Sequence, residues 1–111
     1  MKMASRDQEL YNEIGTILYR NAPNVAKKII LLATLSEQEK ACEFRYHFID
    51  QDNDRNWFLP ENGGEIGHNL CELLIELKEF FISQNQPPWK GCEFGVDMES
   101  GKIELKFEYE K

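Results

Sequence analysis

Residues 92–110 read CEFGVDMESGKIELKFEYE, and the alternation within them decides the fold. Cys92, Phe94, Val96 and Met98 alternate with Glu93, Gly95, Asp97 and Glu99. After Ser100-Gly101, Ile103, Leu105, Phe107 and Tyr109 alternate with Lys102, Glu104, Lys106, Glu108 and Glu110. Successive side chains of a strand point to opposite faces, so each run has one apolar and one charged face. Two such runs around a Gly-containing dipeptide predict a β-hairpin joined by a two-residue turn.

The same period recurs upstream, where Cys42, Phe44, Tyr46 and Phe48 alternate with Glu43, Arg45 and His47. Before it, Val25 to Leu35 reads VAKKIILLATL. Periodicity alone leaves helix and strand both open there; length and β-branched content favour a central strand. The polar stretch Ser36 to Lys40 would join the two as a hairpin. Trp57-Phe58-Leu59, between the polar Asp50 to Asn56 turn and the breaker Pro60-Glu61-Asn62-Gly63-Gly64, could add a short strand. Two segments carry helical spacing instead. Leu10, Ile14, Ile17 and Leu18 form one stripe, with Ser5 and Gln8 as a capping box and Asn21-Ala22-Pro23 as the stop. Ile66, Leu70, Leu73, Leu74, Leu77, Phe80 and Phe81 form the other, ended by Gln84 to Pro88. The expected fold is α+β in the order α-β-β-(β)-α-β-β, with a four- to five-stranded antiparallel sheet and both helices on its apolar face. Residues 1–111 are expected to form a single domain. The remaining face would carry Glu43, Arg45, His47, Glu93, Asp97, Lys102, Glu104, Lys106 and Glu108, open and charged.

Composition narrows the function. The formal net charge is −7, and it is uneven: residues 1–60 hold 8 basic and 9 acidic side chains, residues 61–111 hold 5 and 11. Such a surface repels phosphate backbones and anionic lipid and suits a basic protein partner, so neither nucleic acid nor membrane is expected as a direct partner. The first ten residues lack a signal-peptide pattern, and the longest apolar run, Ile29 to Ala33, falls far short of a membrane span. A cytoplasmic location is the default expectation. Cys42, Cys71 and Cys92 make an odd count without CxxC spacing. In a reducing compartment they read as packing residues or inert thiols, not as a disulfide framework.

Chemistry-bearing motifs are scarce. No GxSxG, HExxH, P-loop or GxGxxG pattern occurs, so no cofactor and no catalytic residue is expected. His47 and His68 are the two histidines; a His/His acid–base pair in a small nuclease would want both, and a small enzyme using His47 or His68 is the lesser alternative. Asp50, Asp52, Asp54 and Glu61 occupy positions 1, 3, 5 and 12 of an EF-hand calcium loop. Against that alternative stand Arg55 where the loop needs Gly, the bulky Trp57, Pro60 directly before Glu61, and a strand where an EF-hand has a helix. No metal site is assigned, and the plainer reading is a solvated acidic turn. Trp57 beside that turn has the composition of an interface anchor.

The chain resembles the YezG-like immunity-protein (antitoxin) family. The features are Tyr11-Asn12-Glu13-Ile14, the Pro23-to-Ala33 strand, Glu43-Phe44-Arg45-Tyr46, the Trp57 turn and the Leu70-to-Phe81 helix. Trp89, Phe94 and the Ser100-Gly101-Lys102 hairpin ending in Phe107-Glu108-Tyr109 complete the order. The resemblance implies a protein that neutralises a cognate toxin domain, commonly a nuclease, of a contact-dependent or secreted toxin. It supplies no catalytic residues. Charge then suggests two partner-binding surfaces: Asp50, Asp52, Asp54, Trp57 and Glu61 on the turn, and Glu93, Asp97, Glu104 and Glu108 on the hairpin.

Overall fold

The structure, a computed structural model, describes residues 6–36, 41–87 and 89–109. Seven elements follow in the order α1 (Arg6–Arg20), β1 (Lys28–Ser36), β2 (Ala41–Ile49), β3 (Arg55–Phe58), α2 (Gly63–Ser83), β4 (Trp89–Asp97) and β5 (Ile103–Tyr109). All five strands pair antiparallel in one sheet of order β3-β2-β1-β4-β5. This is the expected α+β arrangement, with the short third strand present and β1 at the centre.

The elements form where local chemistry favours them. In α1, Asp7 and Glu9 complement the positive end of the helix dipole and Arg20 the negative end. Leu10, Ile14 and Leu18, four residues apart, form its buried stripe, and the helix ends before Pro23. The predicted cap Ser5 lies outside the described residues, as does the 37–40 link between β1 and β2. In α2, Ile66, Leu70, Leu74 and Leu77 are buried at helical spacing. Inward positions of β1 (Ile29, Leu31, Ala33, Leu35) and β4 (Cys92, Phe94, Val96) meet these stripes in one core. Full burial of one such aliphatic chain contributes roughly 1.5–3 kcal/mol. Phe81 of α2 packs on Trp89 and Phe107 with ring centroids 6.3 and 4.9 Å apart, closing the far end of the core.

Two expectations need correction. The β4–β5 connection is not a two-residue turn at Ser100-Gly101. Asp97 N–H donates to the Lys102 carbonyl and Gly101 N–H to the Asp97 carbonyl, so residues 98–101 form the loop. Gly101 supplies its left-handed step at φ 74°. The cysteine reading also changes, because α2 lies over β2 and brings Cys71 onto Cys42 as a disulfide, with Cα atoms 5.6 Å apart. Sequence spacing could not show this, since the pair depends on the rotation of α2 about its axis. Cys92 remains a buried thiol, pushed up to about 12 by burial first and Glu108 second.

The Cys42–Cys71 bond closes a loop with a sequence separation of 29. Restricting the unfolded chain in this way stabilises by roughly 3–4 kcal/mol on the loop-entropy model. Urea unfolding of the oxidised chain against Cys42→Ala/Cys71→Ala should therefore show a lower midpoint for the variant. Equal midpoints, or two free thiols at these positions by mass spectrometry, would rule the bond out.

Candidate functional site

Strand register assigns every outward side chain to a place on the uncovered face. Lys28 of β1 lies opposite Ile49 of β2 on one side and Asp97 of β4 on the other. The turns that follow Ile49 and Asp97 therefore emerge at the same end of the sheet, two strand spacings or about 10 Å apart. The N-terminal end of β1 lies between them: Lys27 N–H donates to the Ile49 carbonyl at 2.7 Å, and Met98 N–H to the Lys27 carbonyl at 3.0 Å. One rim thus gathers Asp50, Asp52 and Asp54 with Asp97 and Glu99 around Lys27, whose Nζ donates to Asn53 Oδ1 at 2.7 Å.

Each turn is built around its own first aspartate. Asp50 Oδ1 accepts from the Asp52 and Asp54 N–H groups at 2.9 and 3.0 Å, and its Oδ2 accepts from Asn56 Nδ2 at 3.0 Å. Asn53 takes the left-handed step at φ 66°, which Asn tolerates better than most residues. Asp97 Oδ1 accepts in the same way from Glu99 and Ser100 N–H at 3.0 and 2.9 Å. These hydrogen bonds to the ionised form hold both carboxyls below their ordinary values, the Asp54 N–H foremost at Asp50 and the Ser100 N–H foremost at Asp97. Asp50 and Asp97 are thus turn-formers that also present charge, while Asp52 and Asp54 are exposed.

The other acidic candidates separate. Glu104 pairs with Lys28 at 2.8 Å, and Glu93 lies 3.9 Å from Lys106. Glu108, opposite Gly91, sits towards the other end of the sheet. Glu61 lines a groove with Arg20, Asn21 and Pro23, away from the turn. Carboxylate oxygens of Asp50, Asp52 and Asp54 lie within 4.8 Å of one another, and Glu61 is not among them. Strand β3 runs between the turn and Glu61, so the twelve-residue loop of an EF-hand is not formed here. The two histidines are likewise parted. His47 lies on the uncovered face, and His68 is exposed on α2, on the helix-covered side, 3.1 Å from Glu72.

The uncovered face is not charged throughout, as its sequence suggested. Ile30 and Leu32 of β1 and Ile49 of β2 run along its middle, buried or half-buried, with the charged side chains towards the margins. Trp57, 72% exposed, belongs to this face beside His47, with Arg55 two residues before it, and does not point among the turn carboxylates. Leu59 is 75% exposed, and no sequence pattern assigns it a role. It follows the end of β3 and lines the same groove as Glu61, with Pro23 and Asn24.

No described helix is long and apolar enough to cross a membrane. Residues 64–111, covering most of α2 with β4 and β5, match the family model described as Immunity protein YezG-like. Across 118 aligned residues the chain is 24% identical to the Type VII secretion system protein EsaG of Staphylococcus aureus (strain NCTC 8325 / PS 47). That alignment covers 98% of this chain and 71% of the relative.

The charge geometry fixes a pH response. His47 is held below its ordinary 6.5 by burial first and then by Arg55 and Arg45, so protonation is disfavoured in the fold. Stability should fall as pH drops below 6.5 and level off beneath the depressed folded value. Asp50, Asp97 and Glu104 are lowered from 3.8, 3.8 and 4.5, so their contribution is present above those values and lost on further acidification. Thermal melts across pH should show two successive declines, the first absent in His47→Gln. A melting temperature unchanged below pH 6.5 in the wild-type chain would contradict the His47 assignment.

Proposed function

We propose that this chain, which is similar to YezG-like immunity proteins over residues 64–111, binds a cognate toxin domain and neutralises it by stoichiometric contact. The role is inhibition by binding, with no reaction of its own. The observation that carries the contact is the shared rim, where two separate turns bring Asp50, Asp52, Asp54 and Asp97 to one end of the sheet. Hydrogen bonds keep Asp50 and Asp97 ionised and hold both loops in shape, so the negative surface is preformed. A preformed surface loses less entropy on binding than a flexible one.

Such a rim suits a toxin with a cationic cleft, and a nuclease is the toxin class that this chemistry favours, because a nuclease must attract phosphates. Opposite potentials accelerate encounter, up to about 10⁸ M⁻¹s⁻¹ at low salt. Speed matters to an inhibitor that must reach the toxin before damage begins. Of the remaining acidic candidates, Glu93 and Glu104 are ion-paired within the sheet, and Glu61 and Glu108 lie off the rim. The rim is therefore the first place to test.

The experiment is co-expression with whichever candidate toxin domain the neighbouring genes encode, comparing wild type with Asp52→Lys/Asp54→Lys. Both side chains are exposed, so the variant should fold normally. The dissociation constant should rise roughly 10–100-fold, mostly through slower association. Protection should weaken in step, and an equimolar amount of wild type should stop nucleic-acid cleavage in vitro. Undiminished binding by the variant would discard the rim, and cleavage of some other substrate class would discard the nuclease.

A further inference from the structure

Beside the acidic rim, the β2–β3 corner of the uncovered face has the opposite chemistry. His47 lies opposite Trp57 and Ile49 opposite Arg55, and Leu59 follows directly on the end of β3 at Phe58. Phe58, between Trp57 and Leu59, turns into the core against Tyr46 and Phe48 with ring centroids 5.8 Å away. Its two neighbours stay exposed at 72% and 75%, the highest values among the large apolar side chains described. A single exposed apolar residue is ordinary, but a Trp and a Leu flanking one core anchor on an edge strand form a patch.

Two arginines border the patch. The chain has 20 acidic and 13 basic side chains, so carboxylates are in excess. Arg6 pairs with Glu9 and Glu76, Lys28 with Glu104 and Lys106 with Glu93. Among the described residues Arg45 and Arg55, like Arg20, Lys27, Lys90 and Lys102, have no carboxylate within ion-pair distance, and both lie on this corner beside His47. Arg55 Nε donates to His47 Nδ1 at 3.3 Å, which leaves its outer guanidinium edge open. His47, held neutral by burial and by these arginines, contributes an acceptor there and no competing charge.

We infer that Arg45, Arg55, Trp57 and Leu59 form a second docking surface, which receives an acidic, apolar-pocketed patch of the partner protein. Trp57 and Leu59 enter the pocket, and carboxylates at its lip take the two guanidinium groups, a planar match that favours bidentate pairing. Trp and Arg are the residues most enriched where interface energy concentrates. This rests on the toxin-binding reading and adds to it: the occupant is the same toxin domain, held outside its cationic region. Asp54 and Arg55 are adjacent, so one partner can meet the rim and the corner together. Recognition then reads both signs of charge, and a toxin with a basic cleft but no acidic patch is rejected.

The test measures affinity of the neighbouring toxin domain for wild type, Trp57→Ala, Arg45→Glu/Arg55→Glu and Arg45→Lys/Arg55→Lys. Lys90→Glu, on exposed surface elsewhere, controls for added negative charge. Trp57→Ala and the double reversal should each weaken binding at least roughly thirtyfold, the hot-spot threshold. The lysine pair should recover part of the loss, Lys90→Glu should bind as wild type, and melting temperatures should stay close together. Near wild-type affinity in both Trp57→Ala and the double reversal would overturn the inference. So would sedimentation showing that wild type self-associates through this corner while toxin binding ignores it. If wild type itself binds no toxin domain, the immunity reading fails first, which the wild-type arm shows without the variants.

Discussion

The inward layer of β1 is the constraint on which the rest of the molecule depends. Ile29, Leu31, Ala33 and Leu35 are buried beneath the helices, while the two edges of the strand are occupied by β2 and β4. Each hairpin therefore has its register fixed against the same nine-residue strand. A slip of one residue would turn an apolar row outward, so register is strongly specified. Gly91 shows how close the fit is: a Cβ there would lie 2.7 Å from the Ala33 carbonyl oxygen. No larger residue could occupy that position without moving β1 and β4 apart.

That fixed register also sorts the charge. Because Lys28 faces both Ile49 and Asp97, two loops distant in sequence share one end of the sheet. Because β3 is the last strand, Trp57 stands at an edge among cations rather than among the carboxylates close to it in sequence. The acidic excess of the chain is thus partly paired within the face, through Lys28–Glu104 and Lys106–Glu93, and partly concentrated at the rim.

Much of the fold was legible because period-two and helical patterns record which side of each element is buried. Phe94, Val96, Leu70, Leu74 and Ile14 were assigned inward from spacing alone and are inward. What the sequence could not convey is adjacency between elements. The Cys42–Cys71 bond depends on how α2 is rotated over β2. The joining of the Asp50 and Asp97 turns depends on strand order. The apolar middle of the uncovered face escaped notice because Ile30 and Leu32 sit in an unbroken hydrophobic run, where alternation has no contrast. The length of the β4–β5 loop depended on which backbone groups Asp97 would bind. Of the candidate site, the turn aspartates were found by composition; Arg45, Arg55 and Leu59 acquire meaning only once their neighbours are known.

The position of β1 has a consequence for synthesis. Its partner on one edge, β2, follows almost at once, but its other partner lies near the far end of the sequence, with Lys28 opposite Asp97. At 5–20 residues per second, the ribosome takes about 3–14 s to pass from one to the other. During that interval Ile29 to Leu35 presents an apolar, unpaired edge to the crowded cell, and such edges are templates for aggregation. Nascent chains of this architecture should therefore be customers for chaperones until their last hairpin emerges, however stable the finished sheet becomes.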